Sequence, residues 1–123
     1  MAFPSLGKKA CGDRYEKRAL EYLRSNNCKI LAQNVTYRFG ELDLVMEEVG
    51  VREVTLVFVE VRKRDPRSLV TPEESVLGKK AQRLIRASQA YLASYRGPAS
   101  AVRIDLIAFH GEELTHHSNF ISL

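Results

Sequence analysis

Residues 54–62 read Val-Thr-Leu-Val-Phe-Val-Glu-Val-Arg. This run is almost continuously apolar and rich in β-branched side chains, the pattern of a strand buried on both faces. Such a strand needs neighbours on both edges and cover above and below, so it sets the centre of the fold. One residue conflicts with that setting. Glu60 sits near the end of the run, where an unpartnered carboxylate would be costly. It must meet a cation, a hydrogen-bond donor or a solvent-filled cleft. With alternating side chains, Arg62 projects from the same face as Glu60, and Lys63 from the opposite one.

The rest of the chain arranges itself around this strand. Residues 11–26 read as an amphipathic helix. At ~100° per residue, Tyr15, Ala19, Leu20, Tyr22 and Leu23 share one half of the wheel, and Glu16 intrudes on it. Ser25-Asn26-Asn27 stops the helix. Residues 29–38 and 41–47 read as two strands joined at Gly40. In the second, Leu42, Leu44 and Met46 point one way, and Glu41, Asp43 and Val45 the other. A loop spans residues 65–72. Residues 73–96 read as one long helix ending at Gly97-Pro98, with an apolar stripe of Leu77, Ala81, Leu84, Ile85, Tyr91, Leu92 and Tyr95. Lys79, Arg83 and Arg86 form a basic stripe roughly opposite, with Lys80 at the border of the apolar one. Residues 102–109 and 114–120 read as closing strands, separated by a turn at Gly111-Glu112-Glu113. The order α-β-β-β-α-β-β predicts an α/β fold with a central mixed sheet flanked by two helices. A length of 123 residues, without repeats or linkers, predicts one domain over residues 1–123.

Several classes of function find no support. No apolar run approaches the ~20 residues of a membrane-spanning helix, and residues 1–9 lack the apolar segment of a signal peptide. Cytoplasmic residence is the resulting expectation, without a membrane partner. Cys11 and Cys28 form no metal-binding spacing. They read as reduced thiols of a cytosolic protein, with a disulfide between them as the alternative. His110, His116 and His117 lie near the C-terminus without the spacing of a zinc site. No phosphate-binding glycine loop, dinucleotide fingerprint or serine-hydrolase elbow occurs, so no nucleotide cofactor is expected. The formal net charge of +4 permits nucleic-acid binding without demanding it.

Asp43 and Glu60 carry the remaining chemistry. If their strands are neighbours, both carboxylates converge on one spot. With a main-chain carbonyl and water they make an oxygen-only shell that suits Mg²⁺ or Mn²⁺. The alternative is that each caps a strand end and pairs with a nearby arginine.

The sequences GELDLV (40–45) and LVFVEVR (56–62) resemble the PD-(D/E)XK nuclease pattern, in which an Asp opens a metal site and a Glu-x-Lys on the next strand completes it. More narrowly, the chain resembles the YraN-type family of small bacterial proteins, which are Holliday-junction-resolvase-like. The resemblance runs through Gly12, Glu16, Asn34, GELDLV, FVEVR, Val76 with Lys80, and RIDLIAF (103–109). It implies a restriction-endonuclease-like fold and a metal-dependent nuclease that hydrolyses phosphodiester bonds in DNA, branched DNA among the candidates. Asp43, Glu60, Arg62 and Lys80 would be catalytic. Glu16, Asp43 and Glu60 would hold Mg²⁺ or Mn²⁺, and Lys79, Lys80, Arg83 and Arg86 would contact nucleic acid. Glu16 has an alternative as a buried acid satisfied by Arg38 or another donor. Arg62 departs from the usual Lys. It supplies charge and bidentate phosphate contacts but is a poor general base, which leaves Lys80 as the best substitute lysine. Asp105 would be a structural partner to an arginine. Branched substrates would favour a homodimer. Arg62 also keeps open a second reading, a nucleic-acid-binding module that retains the fold without the chemistry.

Overall fold

The computed structural model describes residues 12–123, with side chains from residue 14 onward. The expected helix start at Cys11, its pairing with Cys28 and the reading of residues 1–9 lie outside the described residues. Helix α1 spans Gly12–Arg24 and leads into strands β1 (Cys28–Tyr37), β2 (Gly40–Val49) and β3 (Val54–Arg64). A 3-10 turn at Glu74–Val76 precedes helix α2 (Lys79–Ser94), and β4 (Ala101–His110) and β5 (Glu113–Ile121) follow. The five strands lie in sequence order in one sheet. Only β3 and β4 run parallel, joined by the crossover that carries α2. This is the mixed α/β arrangement expected from the sequence. Among the described residues, no helix is long and apolar enough to cross a membrane.

The central strand is buried on both faces, as its composition requires. Leu56 and Phe58 pack with Val45, Ile104, Leu106 and Ala108 beneath Leu84 and Ala87 of α2. Val57 and Val59 pack with Leu44, Met46, Ile107 and Phe109 beneath Tyr15, Ala19 and Leu23 of α1. The two helices thus cover opposite faces of one sheet.

Two expectations fail, each for a local reason. The helix expected over residues 73–96 is interrupted: Leu77 is extended, and Gly78 adopts φ 67. That left-handed conformation is open to glycine and incompatible with a continuous α-helix. Leu77 consequently leaves the expected apolar stripe and is exposed. Leu42 was expected to share a face with Leu44 and Met46, but it joins the core on the α2 side. The sheet changes course there. Pairing between β2 and β3 runs from Val49↔Val54 to Leu44↔Val59 and stops, whereas β3 stays paired with β4 out to Arg64↔His110. At Asp43 and Glu60 the two strands part.

Gly40 fixes what lies beside this fork. A Cβ there would sit 2.8 Å from the backbone oxygen of Arg83. The tip of the β1–β2 hairpin therefore rests directly on α2, which no larger residue would allow without a shift.

Candidate metal and phosphate site

One step beyond Leu44↔Val59 in the antiparallel register, Asp43 faces Glu60 across the fork. Both belong to the side covered by α2, and both are buried, Asp43 to 6% exposure and Glu60 to 2%. Where β2 no longer supplies a carbonyl, Asp43 Oδ2 accepts the backbone N–H of Val61 at 2.9 Å. The carboxylate thus closes the broken ladder and is itself held in place.

Glu60 meets two cations on one oxygen. Lys80 Nζ from α2 lies 3.4 Å from Glu60 Oε2, and Arg62 from the same strand lies 3.8 Å from it. The other oxygen, Oε1, is buried and is reached by no donor among the described residues. Burial pushes the Glu60 carboxyl well above the usual carboxylate range. The neighbouring charge of Asp43 adds to this, and Lys80 and Arg62 oppose it.

The donor set fits a hard divalent ion. Two carboxylates of different strands converge, and one buried oxygen lacks a donor. Mg²⁺ is commonly held by one or two carboxylates, with water and substrate phosphate completing its shell. Glu16 is also buried, at 8% exposure, which matches its inward place on the helical wheel. It belongs to α1, whose apolar side chains cover the other face of the sheet. Among the described residues, no three His, Cys, Asp or Glu side chains are grouped to hold a metal ion.

The basic residues expected to contact nucleic acid divide into two groups. Lys80, Arg83 and Arg86 line a cleft of about 520 Å³ between α2 and the hairpin tip, with Arg38 on the opposite wall. Lys79 is exposed at the start of α2 and does not line it. Lys63 faces away, as alternation requires, with its ammonium over the Tyr15 ring.

Asp105 forms a separate structural cluster on the α1 side. It accepts from Arg103 Nε at 2.8 Å, from the Asn119 backbone N–H at 2.8 Å and is bonded to His116 Nε2 at 2.8 Å. Arg103 in turn grips both oxygens of Glu48. The expected arginine partner is therefore present.

Two contributors to the site were not assigned a role from sequence. Ser75 Oγ accepts from Arg62 Nε at 3.2 Å, so the 3-10 turn orients the arginine. That turn is tied down by Glu73, whose carboxylate meets His117 at 2.8 Å and His110 at 3.1 Å. Asn34 lies opposite Asp43 in the β1–β2 register, with φ 51 and a buried Oδ1 that no described donor reaches. Asparagine tolerates this conformation better than most residues, a signal visible in sequence only once the register is known.

Comparison with known proteins identifies the family. The profile of the uncharacterised protein family UPF0102 matches residues 15–109. A UPF0102 protein of Persephonella marina is 36% identical over 112 residues, covering 91% of this chain and 93% of its own length. Another, from Ralstonia nicotianae, is 40% identical, covering 88% of this chain and 83% of its own. A third, from Vibrio cholerae, is 44% identical over 80% of each chain. The matched span includes Asp43, Glu60, Arg62 and Lys80.

Proposed function

This chain belongs to the uncharacterised protein family UPF0102, and we propose that it is a metal-dependent phosphodiesterase acting on DNA. One observation carries the reading: Asp43 and Glu60 converge at the fork of the sheet, with Glu60 Oε1 lacking a donor and two cations beside Oε2. A purely structural acid would be expected to have both oxygens satisfied, as Asp105 does.

Asp43 and Glu60 would hold Mg²⁺ or Mn²⁺ through their carboxylate oxygens. A divalent ion so placed supplies Lewis acidity to a phosphoryl oxygen and lowers the pKa of a nearby water. Lys80 and Arg62, released from Glu60 when its charge is engaged elsewhere, would turn to the phosphate and stabilise the charge that develops during displacement. Ser75 keeps the Arg62 fork oriented for that contact. Arg62, a guanidinium, acts as a positioning cation and not as a base.

The test is a cleavage assay with Mg²⁺ on linear and four-way DNA. The wild type cuts at least one of them, and Lys80→Ala slows the cutting by about 10²-fold, the usual loss for one transition-state donor. Arg62 favours a second reading, in which the chain binds DNA without cutting it. Binding with no product in Mg²⁺, at any protein concentration, would select that second reading.

A further inference from the structure

The cleft between α2 and the hairpin tip carries more than phosphate-binding charge. Tyr37 and Phe39 hold their rings parallel, with an interplanar angle of 2° and centroids 5.7 Å apart. The Arg86 guanidinium lies over the Phe39 ring, 4.6 Å from its centroid. Arg38, Lys80 and Arg83 complete a basic rim around this platform, with Glu41 the one acid among the described residues of the lining. Lys80 is shared. It lines the cleft and also reaches Glu60, so the cleft begins where the carboxylate site ends.

A continuous duplex presents phosphates to such a surface but keeps its base faces stacked inside. It could use the cations and would leave the aromatic platform idle. An unpaired nucleotide offers both a phosphate and a free π-face, and stacking on aromatic and arginine planes is the general means of holding one. A volume of about 520 Å³ falls within the range of pockets that hold small ligands.

We infer that this cleft binds a single unpaired nucleotide of the DNA strand, next to the phosphate that Lys80 and Arg62 would meet beside Asp43 and Glu60. Its base stacks against the Tyr37–Phe39–Arg86 platform, and its phosphate meets Arg38 and Arg83. The preferred substrate then carries an unpaired nucleotide at the cleavage point. The inference rests on the proposed nuclease reading and extends it to the substrate.

The experiment uses the full chain without divalent metal, so that nothing is cut. Two fluorescent DNAs are compared by anisotropy, one fully paired and one with a single unpaired 5-iodouracil. The wild type binds the second more tightly and crosslinks from the iodouracil to Tyr37 or Phe39 on irradiation. Phe39→Leu, which keeps apolar bulk against the core, weakens binding of the unpaired DNA by about tenfold. It leaves the paired duplex unchanged. Arg83→Ala weakens both, because it removes a phosphate contact. Equal effects of Phe39→Leu on the two DNAs, or crosslinks to other residues, would overturn the pocket and leave the nuclease reading intact. Crosslinking that free 5-iodouridine monophosphate reproduces as efficiently would overturn the assignment to a strand. No binding of either DNA at low salt would overturn the nuclease reading together with this one.

Discussion

Glu60→Gln is expected to make the protein more stable near neutral pH while removing its metal site. Burial and the adjoining Asp43 hold the Glu60 carboxyl well above its ordinary range in the folded state. In the unfolded chain it titrates near the usual ~4.3. Between those two values the folded protein binds more protons than the unfolded one, so stability falls as pH rises through the window. Above the folded value the whole penalty is in force. Glutamine carries no such penalty, and Lys80 and Arg62 are exposed enough to be rehydrated when their partner is neutral. The variant should therefore gain at least about 1 kcal/mol near neutral pH, a rise in Tm of several degrees for a domain of this size. The gain should shrink as pH falls toward 4 and vanish about one pH unit below the unfolded value, where both states of the wild type are protonated. Thermal unfolding across that range checks it. A loss of stability at neutral pH would mean that Glu60 is a satisfied ion pair and not a strained acid.

Asp105→Ala should show the opposite behaviour, and the largest loss of stability expected from any single charged residue here. Burial alone would push the Asp105 carboxyl up, but bonds from His116, Arg103 and the Asn119 backbone hold it below its ordinary range. Removing it leaves Arg103 and the Asn119 N–H without their buried acceptor and frees His116 from its partner. Breaking a buried charge cluster from one side typically costs about 3–5 kcal/mol, a large part of a domain's stability. The sign of the pH dependence is also reversed relative to Glu60. Asp105 contributes stability above the unfolded carboxylate value, and that contribution is lost as pH falls through its lower folded value. Denaturant unfolding near pH 7 measures the cost. A change below about 1 kcal/mol would show that the cluster is replaceable by water.

The contrast between these two acids explains how much of the site was readable in advance. Strand alternation alone put Arg62 with Glu60 and Lys63 away from it, because the period of a strand leaves no choice. The wheel put Glu16 inward and Lys80 at a border, and both are found so. The element order and its mixed sheet followed from where apolar runs and turns fall. Local pattern could not show where β2 and β3 separate, since that depends on three strands at once. The separation moves Leu42 to the other face and gives Asp43 the Val61 N–H to hold. The break at Leu77-Gly78 was hidden by an apolar stripe that continues in phase across it. Ser75, Asn34 and the aromatic wall of Tyr37 and Phe39 enter through contacts between elements distant in sequence.

The most direct test of the account is a calorimetric Mn²⁺ titration of the wild type beside Asp43→Asn and Glu60→Gln, repeated in buffers of different ionisation enthalpy. The wild type should bind one Mn²⁺ per chain with release of protons, because the raised Glu60 carboxyl must ionise to ligate. Both variants should lose the binding. No Mn²⁺ binding by the wild type, or binding that survives in both variants, would contradict a metal site at the fork of the sheet.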